Sequence, residues 1–325
     1  VRRDLVRQFF YDMLLARHFE QAAAEQYTAG KIAGFLHLYP GEEAVAVGSL
    51  RAAEPGDYVV STYREHVHAL MRGITPNAVM AELFGRATGC SGGYGGSMHL
   101  FSAEHRFLGG YAIVGETFPV AIGAAYWLAM NRSPDVVLCY FGEGAVNQGT
   151  FHESLNMAAL WRLPVLFICE NNRYQIGTEI HRTSALTEVY RRACAYGMPS
   201  ARVDGMDVIA VYEATRLALA QVRAGGGPYL LECETYRFRG HSMADSGAYR
   251  SQLEVAELRA RDPLYVLRER ALAQGWIDEE EIEALDARSR AVVEEAVRFA
   301  EASPPPTDLY KDVYVEPLDL YGGRP

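Results

Sequence analysis

Apolar residues near the N-terminus recur at helical spacing (Leu5, Phe9, Leu14, Phe19, Ala22). The spacing predicts a long amphipathic helix over residues 2–28, ended by Gly30 and Gly34. From 35 to 118 short helical patterns alternate with glycine-rich turns, densest at 85–96 and followed by Gly109, Gly110 and Gly115. A different rhythm starts near Pro119. It predicts a small-residue helix over 121–130, a strand over 136–141, the turn Gly142-Glu143-Gly144, a helix after Thr150 and a strand over 165–169. Helical patterns at 186–196 and 208–222 follow, then a strand over 229–238 and a charged amphipathic helix over 278–302. Thr150 with Glu153, and Asp278 with Glu281, have capping-box spacing, and Asp262-Pro263 offers an N-cap with proline at the first helical position. Strands alternating with helices predict an α/β fold, a mostly parallel sheet with helices on both faces. The expected organisation is a single domain over 1–325, with an N-terminal helix (about 1–30) and an extended tail (about 303–325) after the proline run behind Ser303.

Composition narrows the class. Of 325 residues, 49% are hydrophobic and 22% charged, enough apolar surface for a large core. With 31 basic and 41 acidic residues the formal charge is −10, which argues against a broad nucleic-acid footprint. No apolar run reaches the roughly 18–20 residues of a membrane span. The five cysteines lack CxxC spacing; Cys139, Cys169 and Cys233 lie in apolar runs and read as buried free thiols. Asp4 and Asp12 in a helical pattern argue against a secretory signal. The expected setting is a reducing compartment, either a bacterial-type cytoplasm or, if a leader was removed, an organelle matrix.

Residues 139–178 carry the chemistry. A strand ends in a Gly-X-Gly turn with an acidic side chain, a helix and second strand follow, and the second strand ends in Asn171-Asn172. Ligands of open parallel sheets sit outside the carboxyl ends of strands. There Gly142 and Gly144 let backbone N–H groups approach a diphosphate. Glu143 and Asn172 can bind a hard cation through oxygen. No GxxxxGK[ST] is present, and Gly142, Gly144 and Gly149 do not keep the G-x-G-x-x-G spacing. The plain alternative is an ordinary α/β turn with an asparagine cap. His37, between Leu36 and Leu38, also reads as a core histidine; Tyr63-Arg64 also reads as a solvated helix start. Arg64 and Arg237 are the guanidinium donors that a buried diphosphate requires.

At this point the sequence resembles a known family. The Gly-acid-Gly turn followed by Asn-Asn looks like the thiamine-diphosphate motif. The segments GFLHL, TYREH, GGSMH, AIVG, NQGTFHESLNMAALWRLP, ENNRYQIGT, RVDGMDV and RGHSMAD are similar to the alpha subunit of the decarboxylating component of 2-oxoacid dehydrogenase complexes. The likeness runs over nearly the whole chain and is strongest to pyruvate and acetoin dehydrogenase alpha chains. The resemblance implies a thiamine-diphosphate-binding fold in which Gly144, Ala145, Asn172 and Tyr174 (through its carbonyl) bind diphosphate and Mg2+. It also implies phosphate or cofactor contacts for His37, Tyr63, Arg64, Ser102 and Arg237, and aminopyrimidine contacts for Ala112 and Val114. His241 takes the place of the active-site histidine on a loop, and among the nine histidines its ordinary pKa near neutrality suits proton transfer.

What the resemblance implies for function is decarboxylation of a 2-oxoacid, most often pyruvate, with transfer of the acyl group to a lipoyl arm on an acyltransferase component. Acetoin and branched-chain oxoacids are the neighbouring substrates, and a non-catalytic assembly subunit is the reading of another class. The family completes its cofactor site with a beta subunit in a two-alpha, two-beta assembly. One departure stands out: the family usually has aspartate where Glu143 stands. The extra methylene advances the carboxylate by roughly 1.5 Å. The strand end must retract, the side chain must fold, or a different divalent cation must serve.

Overall fold

The computed structural model describes residues 2–308. The predicted N-terminal helix forms α1 (Arg3–Thr28), and the region after it forms α2 (Glu43–Ala52), β1 (Tyr58–Thr62), α3 (His66–Arg72), α4 (Pro76–Leu83) and β2 (Phe107–Tyr111). Next come α5 (Thr117–Met130), β3 (Val137–Gly142), α6 (Gly149–Trp161), β4 (Val165–Asn171), and the short strands β5 (Tyr174–Gln175) and β6 (Thr178–Glu179). The remainder is β7 (Ser200–Asp204), α7 (Val208–Gln221), β8 (Tyr229–Glu234), α8 (Gln252–Arg259), α9 (Pro263–Ala273) and α10 (Glu279–Ala302).

Six strands pair in parallel in the order β2-β1-β3-β4-β8-β7, and β5-β6 is a separate antiparallel hairpin. Side chains alternate across each strand, so the sheet feeds two cores. Leu138, Tyr140, Leu166 and Ile168 face α1, α2, α4 and α10; Val137, Cys139, Val165 and Phe167 face α5 and α6. Helices therefore cover both faces, and every residue of β4 is buried, the mark of a central parallel strand. Cys139, Cys169 and Cys233 are buried free thiols in these strands.

The structure corrects several local expectations. The sheet begins well before Pro119, because β1 and β2 lie inside the glycine-rich region, and β7 adds an edge. The last strand stops at Glu234 rather than 238, and the 186–196 pattern is a 3-10 turn from Val189 to Tyr196. Thr150 does not cap: Gln148 occupies the N-cap of α6 and the Thr150 hydroxyl donates to the Gly115 carbonyl at 3.1 Å. The Asp278–Glu281 capping box and the Asp262 N-cap both form. The expected tail lies, from 309 onward, outside the described residues. The glycine run at 85–96 wraps one buried carboxylate: Glu82 accepts from the main-chain amides of Ser91, Gly93, Gly95 and Gly96 at 2.7–3.2 Å. A Cβ at Gly93 (φ +85°) would press on the Arg86 carbonyl at 2.7 Å, so glycine is required there.

Candidate functional site

The carboxyl ends of β1, β3 and β4 open on a cavity of about 230 Å³, the usual position for a ligand in this sheet type. Gly142 and Glu170 are register partners, so the tips of β3 and β4 lie side by side. After Gly142 the chain tightens into a 3-10 turn over Glu143–Asn147. The Glu143 side chain folds back, bonds its own backbone N–H, and accepts from the Asn172 main-chain amide at 3.3 Å. Glu143 is 1% exposed and its Oε1 has no hydrogen-bond partner. Burial pushes this carboxyl up to about 7, so the site gains by meeting a positive charge. Gly144 keeps the hairpin close: a Cβ there would stand 2.9 Å from Cγ of Gln175.

The two asparagines have separate tasks. Asn171 Nδ2 donates to buried Glu232 at 2.6 Å and its Oδ1 accepts from the Arg173 amide, which ties β4 to β8. Asn172 lines the cavity; its Oδ1 accepts from the Tyr174 amide at 3.1 Å and its Nδ2 donates to Glu42 at 3.1 Å. The Tyr174 carbonyl accepts a long bond from Arg237 Nη1 at 3.4 Å, which leaves its second lone pair open.

Arg64 and Arg237 are both buried and line the cavity. Arg64 donates to the carbonyls of Leu38 and His241. Arg237 donates to the Ile176 carbonyl and the Tyr249 hydroxyl, both at 3.0 Å. The rings of His37, Tyr63 and His241 cluster beside them, His37 lying 4.5 Å from Tyr63 and 5.1 Å from His241. Burial, then the nearby Arg64 charge, lowers His37 to about 2 and His241 to about 4. Both imidazoles are therefore neutral, and the Nδ1 of each lacks a partner.

Ala145 and Val114 line the cavity, with Ile113 and Ile176 exposed at its rim; Ala112 sits one residue behind, between β2 and the rim. Ser102 is not brought there. It pairs with Phe107 at the amino end of β2, opposite the cavity, and its hydroxyl bonds His105 at 2.8 Å. Sequence reasoning missed Glu42 and Glu170, which also line the cavity. Glu170 accepts from Tyr39 and meets His68 at 3.1 Å. Burial raises the Glu42 carboxyl, its Oε2 lacks a hydrogen bond, and Arg64 Nε is 3.8 Å away. The only trace in the sequence is an acidic pair opening a helix.

The arrangement suits a diphosphate carried by a hard divalent cation. Two buried guanidiniums and several oxygen atoms line the same cavity, and the orphaned Glu143 Oε1 could supply an anionic ligand. Among the described residues no cluster of three His, Cys, Asp or Glu could hold a metal by itself, and a cation bound jointly with a phosphate needs none. Among the described residues no helix is long and apolar enough to cross a membrane.

The family described as dehydrogenase E1 component matches residues 11–308. The chain is 46% identical to "Pyruvate dehydrogenase E1 component subunit alpha-3, chloroplastic" of Oryza sativa subsp. japonica, over 98% of this chain and 77% of that protein. It is 47% identical to "Pyruvate dehydrogenase E1 component subunit alpha" of Porphyra purpurea (91% and 88%) and of Zymomonas mobilis (96% and 89%).

Proposed function

The chain belongs to the dehydrogenase E1 component family, and from that premise we infer that it is the alpha subunit of a thiamine-diphosphate-dependent pyruvate dehydrogenase decarboxylating component. The observation that carries the reading is the meeting of two strand tips, with the Asn172 amide on Glu143 and an open carboxylate oxygen in a cavity that two buried arginines also line. Glu143, the Asn172 side chain and the Tyr174 carbonyl would hold Mg2+ or another divalent cation, with Gly144 and Ala145 beside the diphosphate. Arg64 and Arg237 would hold the diphosphate, and His37, Tyr63 and Val114, with Ala112 behind it, would wall the cofactor. When bound, thiamine diphosphate supplies the electron sink for a 2-oxoacid losing carbon dioxide.

The chain's own part is to bind, orient and keep water out. His241 is held beside the cavity by its amide bond to Asp245 at 2.6 Å and its carbonyl bond to Arg64 at 2.9 Å. With its ring proton on Nε2, its unpartnered Nδ1 would accept a proton and return it during acyl transfer to a lipoyl group once bound diphosphate offsets the arginine charges that lower it. The exposed apolar rim of Ile113, Val114 and Ile176 supports a cavity completed by a beta subunit, in a two-alpha, two-beta assembly served by a lipoyl-bearing acyltransferase. The reading of a cytoplasmic or organelle-matrix setting stands beside it, to be checked by fractionation.

The test is co-expression with the beta chain and a substrate panel of pyruvate, acetoin and branched-chain oxoacids, with thiamine diphosphate and Mg2+. Carbon dioxide release from pyruvate, absent with the alpha chain alone, is the expected result. Failure of the assembly to bind thiamine diphosphate would sink the reading.

A further inference from the structure

Asn172 is held at both ends by chemistry that fixes which way its amide faces. On one side Glu42 Oε1 lies 3.1 Å from Nδ2; on the other the Tyr174 main-chain N–H points at Oδ1, also at 3.1 Å. A flipped amide would set oxygen against a carboxylate and NH2 against an N–H, so the orientation follows from the partners. The outcome is a carbonyl oxygen on the Tyr174 side, with a second lone pair for which the structure shows no donor.

Glu42 offsets part of the charge of buried Arg64, but its hydrogen bonding goes to Asn172. It is 1% exposed, at the start of α2, and 130 residues from Asn172 in the chain. Arg64 Nε at 3.8 Å is beyond hydrogen-bonding range, and the Glu42 Oε2 makes no hydrogen bond. Among the described residues its carboxylate makes one hydrogen bond, with the Asn172 amide. A buried acid costs stability where a neutral residue would pack without penalty. Its geometric product here is the orientation of a cation ligand.

We propose that Glu42 is a positioning residue that aims the Asn172 carbonyl at the divalent cation. The proposal rests on the cofactor reading given above. It assigns Glu42 no contact with cation or substrate; Glu42 acts through Asn172, as outer partners of metal ligands commonly do.

The experiment is a double-mutant cycle on the full chain co-expressed with its beta subunit, reading Mg2+ affinity by calorimetry at saturating thiamine diphosphate, without turnover. Glu42→Leu should weaken Mg2+ roughly tenfold or more, the usual scale for losing an outer partner. Glu42→Gln, whose carbonyl can still accept from Nδ2, should restore affinity to within about threefold of the original. In an Asn172→Ala background, Glu42→Leu should add nothing further, because the two residues act as one unit. If Glu42→Leu does not assemble, Glu42→Ala takes its place in the cycle. Unchanged affinity in the apolar variant overturns the proposal, as do effects that multiply across the cycle. A Glu42→Gln variant as weak as Glu42→Leu also overturns it, since the charge would then act on the cation directly. If the unaltered assembly takes up no Mg2+ with thiamine diphosphate, the cofactor reading falls and this proposal falls with it.

Discussion

Asn171 Nδ2 donates to Glu232 Oε1 at 2.6 Å, so the first of two consecutive asparagines is spent on the sheet while the second faces the cavity. Glu232 is buried, and its other oxygen accepts from the Tyr190 amide at 2.9 Å. Removing the Asn171 amide leaves a buried acceptor short of a donor, a loss of about 1–3 kcal/mol. Asn171→Ala should therefore lower the urea midpoint of the cofactor-free chain. Asn172→Ala strands the buried Glu42 oxygen and the Tyr174 amide, so it should lower the midpoint by a similar amount, but it alone should also weaken Mg2+-dependent cofactor binding, at least about tenfold. Equal effects of the two variants on both measurements would contradict this division.

Glu143 carries the same logic with opposite signs for stability and binding. Its carboxyl is buried with an unpartnered oxygen, and burial raises it to about 7. Glu143→Gln keeps the shape and an acceptor for the Asn172 amide while removing the charge. The cofactor-free variant should unfold at a higher temperature at pH 8, yet bind Mg2+ with thiamine diphosphate at least about tenfold more weakly. A variant that binds as well as the original would remove Glu143 from the site.

How much of this was legible beforehand differs between sheet and site. The central strands β3 and β4 announce themselves as apolar runs, and the β3–β4 tips were found from a glycine turn and an asparagine pair. The strand β2 was not found because its sequence, Phe-Leu-Gly-Gly-Tyr, contains two glycines, which ordinarily weaken a strand. Here Gly109 makes room for the Phe101 ring and Gly110 for the Glu65 carboxylate. The edge strand β7 escaped because no residue of it is fully buried. Glu42 and Glu170 escaped for another reason: their role depends on a fold that brings α2 to the end of β4, and neither has a short-range signature. Ser102 was carried along by resemblance alone, and the topology sets it at the other end of β2.

The glycine-rich segment offers a stability test separate from the cavity. Glu82 accepts four main-chain N–H bonds from residues 91–96 with both carboxylate oxygens. Glu82→Ala strands those donors, and with about 1–3 kcal/mol for each that finds no water, a loss of several kcal/mol is expected. Denaturant melts should show it. Proteolysis should then cut between 85 and 96 before the rest of the chain opens. Full retention of stability would mean that the loop holds itself without its carboxylate.

The pH dependence of stability separates the two kinds of buried group. His37 and His241, lowered to about 2 and about 4, are neutral in the fold, whereas the unfolded chain takes up their protons below about 6.5. Their contribution is complete above 6.5 and is lost as pH falls toward 4 and beyond. Glu143, raised to about 7, runs the other way: between its unfolded value near 4.5 and 7 the fold keeps a proton the unfolded chain releases, so its contribution is lost as pH rises. Relative to the original cofactor-free chain, His37→Gln should gain stability as pH is lowered from 6.5 to 4.5. Over the same interval Glu143→Gln should lose it. Thermal unfolding of both variants across that interval decides the matter. Two difference curves of the same sign would mean that at least one of these groups carries, in the fold, the charge that its burial should deny it.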